Sequence, residues 1–289
     1  GLRALNANTT GADNTAMGRD ALYVNTTGLN NTALGAFVLD ANTTGGYSTA
    51  VGANALGANT TGGHNVAMGR FALKSNTTAS SSVAIGNETL NANTTGTQNT
   101  AVGHAALLAN TTAANCTAIG FYALKGNTTG ASNTAVGAGA LDANTTASNN
   151  TAVGYNSLGS VITSQFNTAV GHTAGGSLTG GDNVCIGYSA GAYGSGTITS
   201  GGSNTIIGAY ARSSGGTMSG ELAIGRYVLG QGASTATLGF NSNGATISID
   251  GSDTSWAAHS DQRLKENITT STAGLSFVND LRPVTYTWK

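Results

Sequence analysis

Residues 99–115 read Asn-Thr-Ala-Val-Gly-His-Ala-Ala-Leu-Leu-Ala-Asn-Thr-Thr-Ala-Ala-Asn, and residues 116–132 read Cys-Thr-Ala-Ile-Gly-Phe-Tyr-Ala-Leu-Lys-Gly-Asn-Thr-Thr-Gly-Ala-Ser. Aligned without a gap, the two segments share Thr-Ala, an apolar residue and Gly, then Ala-Leu, then Asn-Thr-Thr. The same metre extends in both directions. Gly recurs in steps of 17 from Gly1 through Gly18, Gly35 and Gly52 to Gly171. Asn recurs in phase from Asn8 through Asn25 and Asn42 to Asn144, and Leu from Leu5 through Leu22 and Leu39 to Leu158. Three columns held in phase over so many units define an internal repeat.

The length of the unit decides the fold class. A two-helix repeat needs about 34 residues, and Gly, Asn and Thr are poor helix formers. Seventeen residues hold two short strands and two tight turns. Each unit is therefore expected to form one rung of an all-β parallel β-solenoid, or β-roll. Rungs would stack at about 4.8 Å. Gly and Asn suit left-handed corners, and stacked Asn side chains can form amide ladders along the rod.

The strand pattern predicts assembly. Successive strand residues face opposite sides. One column, from Ala16, Ala33 and Ala50 to Ala135, is always Ala; its neighbour (Met17, Leu34, Val51, Met68, Ile85, Val102, Ile119, Val136) is always apolar. A strand apolar on both faces is expected to be buried on both. One face would fill the coil. The other, where small Ala permits close approach, would meet another chain.

After Gly171 the metre loosens, with comparable glycines at Gly187, Gly208, Gly225 and Gly239. The extra residues fall in the Ser/Gly-rich stretches Gly194–Gly202 and Ser213–Gly220, and aromatics thicken (Tyr155, Phe166, Tyr188, Tyr193, Tyr210, Tyr227, Phe240, Trp256). Irregular loops on a regular scaffold commonly carry recognition. Residues 235–250 alternate around Asn243-Gly244, which predicts a β-hairpin. The charge density jumps from Asp261, where Asp-Gln-Arg-Leu-Lys-Glu-Asn-Ile predicts a short helix. The expected organisation is a regular shaft over 1–171, an irregular solenoid and hairpin segment over 172–259, and a distinct segment over 260–289.

Composition excludes several functions. Only 8% of the 289 residues are charged, and 11 Lys and Arg against 12 Asp and Glu leave a net charge of −1. Such a surface does not attract phosphates, so no nucleic-acid partner is expected. No apolar run reaches the ~20 residues that span a bilayer, so no membrane insertion is expected. The chain starts at Gly1 without Met or a leader, which predicts a mature piece or fragment.

Chemistry is sparse. His64, His104, His172 and His259 lack metal-ligand spacing, so neither metal nor cofactor is expected. Cys116 occupies an Asn slot and Cys185 an Ala slot about four rungs away, too far to pair. The repeat itself generates Asn-Thr-Thr, which makes these triplets weak evidence for glycosylation. Ice binding, which wants Thr-x-Thr on one face, is not favoured by adjacent Thr26 and Thr27.

The exception lies at Ser260-Asp261-Gln262-Arg263-Leu264-Lys265-Glu266-Asn267-Ile268, joined near the end by Leu281–Lys289. These residues resemble the opening of the intramolecular chaperone of endosialidase, the peptidase S74 domain, over Ser260–Lys289. The resemblance implies a C-terminal chaperone that trimerises phage tail fibres and related surface fibres. It also implies self-cleavage between Ser260 and Asp261 by a pair mapping onto Ser260 and Lys265. A desolvated, neutral lysine can activate a serine hydroxyl. On a regular helix, i and i+5 do not face each other, so Ser260 would lie at or before the helix N-cap with Lys265 reaching back.

The expected protein is thus a homotrimeric fibre, extracellular or part of a virion. It would be a phage tail fibre or bacterial surface fibre that attaches to a host or cell-surface receptor, glycan included. It would be no enzyme apart from autoproteolysis. A looser resemblance of the rungs to the β-roll heads of trimeric autotransporter adhesins supplies one alternative. A filament of fibres joined end to end is another.

Overall fold

The computed structural model describes residues 1–241 and 243–250 and the backbone of 257–258. Contacts divide the chain into Gly1–Ala258 and His259–Lys289. The first unit is an all-β parallel solenoid of about 13 turns with rungs of ~17 residues and essentially no helix; among the described residues the one helical turn is the 3-10 segment Gly194–Gly196. Thirteen three-residue strands, from Thr15–Met17 to Leu222–Ile224, pair in parallel in sequence order. In the regular part the register equals the repeat: Thr100, Ala101 and Val102 lie beside Thr117, Ala118 and Ile119.

Each rung contains one strand rather than the expected two. The segment after the strand alternates between right- and left-handed backbone. The Gly column from Gly18 to Gly225 has φ between +121° and +139°, and the Leu column has φ between +50° and +54°. At Gly52 an added Cβ would lie 2.7 Å from the Gly69 carbonyl, so this corner excludes side chains. Along this segment the N–H groups turn from the preceding rung to the following one. Phe37 N–H donates to Arg19 C=O of the preceding rung (2.9 Å), whereas Leu39 N–H donates to Ala55 C=O of the following one (3.1 Å). Ladder bonds therefore run along this side as well, without extended backbone. A left-handed Leu costs on the order of 1 kcal/mol. Complete burial of its side chain offsets that with about 1.5–3 kcal/mol; every Leu from Leu22 to Leu158 in this column is fully buried.

The coil interior is thin. Ala16 and its successors point inward, with Ala33 to Ala169 fully buried, and pack with the Leu column. This corrects the expectation that Ala faces a partner chain. Through the regular rungs this inward position holds only Ala, with larger side chains admitted at Cys185 and Ile206 past Gly171, and the apolar neighbours face out.

Asn fills the rest. Asn25 to Asn144 are fully buried. Each Nδ2 donates to the preceding Asn Oδ1 and to the carbonyl three residues on: Asn42 to Asn25 Oδ1 at 2.8 Å and to Gly45 C=O at 2.9 Å. A second polar column accepts backbone N–H groups from the next rung, as Asn133 Oδ1 does from Asn150 N (2.9 Å). The expected amide ladders are present, and they satisfy carbonyls that a wider coil would leave to water.

The sheet continues unbroken past Gly171. Where Gly175 and Gly191 replace Leu, Leu178 from the Asn column and Ile198 from the inserted loop enter the core. Parallel pairing ends at the hairpin Thr235–Phe240 and Asn243–Ser248. Gly239 pairs with Gly244 and Phe240 with Asn243, so the chain reverses between Phe240 and Asn243 and the expected Asn243-Gly244 lies within the second strand.

Candidate functional site

Ser260 and Lys265, and the helix expected from Asp261, lie outside the described residues. The described surface carries two features that assembly or recognition could use.

The first is an apolar stripe. Flanking the buried Ala, the outer strand positions turn away from the core. Met17 is 63% exposed, Leu34 and Met68 each 43%, and Ile119 41%. The stripe recurs rung after rung on the outer face of the sheet. Thr precedes the buried Ala on most rungs, and Val does so at Val66 and Val83.

The second is an aromatic ladder just past the Gly corner. Tyr155 stacks on His172 (ring centroids 5.1 Å apart) and His172 on Tyr188 (5.0 Å). Tyr188 then meets Tyr210, which lies parallel to Tyr227 at 4.6 Å, and Tyr193 from the inserted loop packs edge-on against Tyr210. A shorter group joins His104, Phe121 and Tyr122. Tyr193 aside, these rings follow the repeat because each lies one or two residues after a corner Gly. His104 and His172 share that slot in the sequence, and extending the column to Tyr155 and Tyr188 would have disclosed the ladder. Cations also lie on rings here: Arg70 over Phe71 at 3.9 Å and Lys125 over Tyr122 at 4.2 Å. Tyr210 has its hydroxyl pKa raised, chiefly by burial among its neighbours and then by Tyr188 and Tyr227.

Other residues singled out in the sequence serve the scaffold. The Asn of each Asn-Thr-Thr from Asn25 to Asn144 has its amide locked in the ladder, out of reach of a glycosyl acceptor role in the folded protein. The following Thr is used too: Thr26 Oγ1 donates to Thr43 C=O at 3.0 Å. Cys116 and Cys185 are buried and unpaired. Burial raises both thiol pKa values, that of Cys185 to about 12. Neither thiol is therefore expected to react with a disulfide reagent at pH 8 in the native protein, and both are expected to react once it is unfolded. Thiol titration checks this; rapid native labelling would contradict the packing.

Glu221 was missed by the sequence reading. It occupies the second polar column, 1% exposed, where earlier rungs carry Asn, Ser or Cys. Its carboxylate accepts Ser213 Oγ, Ser214 N–H (3.1 Å) and Gly232 N–H (2.8 Å). It thereby ties two irregular loops to the last rungs. Its place in phase after Asn204 was the available signal. Among the described residues, no three of His, Cys, Asp and Glu gather as metal ligands, and no helix is long and apolar enough to cross a membrane.

Residues 260–289 match the family model Peptidase_S74, the chaperone of endosialidase. No curated protein matches the chain, and no solved structure matches it. Together, the solenoid and the match fit a structural fibre with a C-terminal chaperone.

Proposed function

We propose that this chain is the shaft of a homotrimeric attachment fibre, a phage tail fibre or bacterial surface fibre, folded by its C-terminal chaperone and then released from it. The observation that carries the reading is one stripe of exposed and half-buried apolar side chains on the outer strand positions from Met17 to Ile224, in a chain whose last residues match the chaperone of endosialidase family. Identical stripes on three parallel chains can meet about a common axis, burying Met, Leu, Ile and Val at about 25 cal/mol per Å² of apolar area. The irregular, aromatic-rich end would carry receptor contacts, in an extracellular or virion setting.

The chaperone answers a register problem. Near-identical rungs on neighbouring chains can align displaced by one unit at little cost. A terminal domain that trimerises first brings equivalent rungs together and suppresses such slips. Its removal leaves a fibre held by its unfolding barrier.

In this reading Ser260 is the nucleophile, and Lys265, neutral when desolvated, takes its proton. When the chain is followed by a complete chaperone domain, cleavage is expected between Ser260 and Asp261. Ser260→Ala and Lys265→Ala are expected to remain intact while still trimerising. Denaturing gels with mass spectrometry of the new N-terminus test this. Cleavage that persists in Ser260→Ala, or a terminus other than Asp261, would overturn the assignment.

A further inference from the structure

We propose that the rung Gly137–Val153 carries a saccharide-binding slot, in which one pyranose ring lies between the Phe121–Tyr122 pair and Tyr155. The proposal rests on the attachment role above and adds to it a contact in the regular shaft, ahead of the irregular end, with its ligand class.

The slot is a missing step in the aromatic column. The two residues after each corner Gly are Phe121-Tyr122 on one rung and Tyr155-Asn156 two rungs on. Between them stand Ala138-Gly139, the one such pair among the described rungs with no side chain beyond Cβ. Two rung spacings separate the walls by about 10 Å. Intact parts of the column stack their rings at 5.0–5.1 Å. One flat ring therefore fits between the walls at the spacing the column already uses. Tyr155 stacks on His172 toward the following rung, which leaves its other face toward the slot. Tyr155 is 53% exposed and Phe121 52%. The walls enclose about 210 Å³.

The floor and exit are polar. The Asn156 Oδ1 occupies the space a Gly139 Cβ would fill, so its amide reaches into the gap. Asp142 lines the slot and also a second cleft of about 440 Å³, where Gly159 and Gly176, which lack side chains, open a groove bordered by Ser160, Thr173 and Ser177. Aromatic walls with a carboxylate, an amide and hydroxyls beyond them match a ring with apolar C–H faces and a rim of hydroxyls. A pyranose has both, and its next sugar unit can follow the groove. A purely aromatic ligand would leave the carboxylate and hydroxyls unused, and an anionic one would meet Asp142.

The site can be tested without disturbing the fold, because Ala138→Tyr restores the residue type that the same slot accepts at Tyr155 and Tyr188. The purified protein is titrated with methyl glycosides of glucose, galactose, mannose and N-acetylglucosamine, and with indole, by saturation-transfer NMR. At least one glycoside is expected to bind through its ring C–H protons. Ala138→Tyr is expected to weaken it by at least about tenfold, the equivalent of one lost stacking contact and its slot, with an undiminished unfolding midpoint. Tyr155→Ala is expected to weaken it as well. Binding of no glycoside, binding of indole alone, or glycoside binding unchanged in Ala138→Tyr would each overturn the proposal. The oligomeric state is measured on the same samples, so loss of the slot and loss of the fibre reading are told apart.

Discussion

Asn76→Asp is expected to lower the unfolding free energy by about 3–5 kcal/mol at neutral pH, the scale of an uncompensated buried charge. Asn76 is fully buried. Its Nδ2 donates to Asn59 Oδ1 (2.8 Å) and Ala79 C=O (3.0 Å), and its Oδ1 accepts from Asn93 Nδ2 (3.0 Å). Aspartate would turn a negative oxygen toward two oxygens. Asn76→Ala removes the bonds without adding a charge and is expected to cost less, about 1–3 kcal/mol; Ala79 C=O keeps its bond from Asn65 Nδ2. The sign of the pH effect follows. Burial among acceptors raises the folded-state pKa of the new carboxyl above its unfolded value of about 3.9. The deficit is then largest above the raised value and shrinks as pH falls through it, because the protonated acid donates again. Denaturant melts of the three proteins at neutral and acidic pH decide it. Equal stability of Asp and Ala variants at both pH values would mean that the ladder does not hold its amides as described.

Removing the whole unit Gly69–Ile85 is expected to leave a folded protein one rung shorter. The new junction joins Met68 to Gly86, so strand still leads to corner Gly. Ala67 moves beside Ala101, and Asn59 beside Asn93. The rod loses about 4.8 Å. Deleting Ala84 alone is expected to abolish folding of the neighbouring rungs. It would bring Ile85 to the inward position that holds Ala on every regular rung and turn the apolar stripe inward. Circular dichroism, thermal melts and proteolysis of the two deletions compare them; similar behaviour would refute the assignment of one unit to one rung.

Much of this was legible because the repeat repeats physics as well as letters. A column that is always Gly at a corner, always Leu or always Asn can be assigned a backbone conformation, a core position or a ladder from its residue type. The single strand per rung was not legible. Left-handed Leu defies local propensity, and burial together with inter-rung hydrogen bonds overrides it. For the same reason the Ala column was placed on the wrong face: period two shows that Ala101 and Val102 point oppositely, not which one points inward. The narrow interior decides that. The aromatic ladder was half visible, since the rings were evident and their phase with Gly154, Gly171 and Gly187 was not followed. Glu221 hid because a single acid in an Asn column has no pattern of its own.

The central claim is a fibre of three chains, assembled by the terminal chaperone and then freed from it. The native mass of the shaft, recovered after expression with a complete chaperone, tests both halves at once. The predicted result is the mass of three chains, each ending at Ser260. A single chain ending there, or any assembly in which the chaperone remains covalently attached, would contradict it.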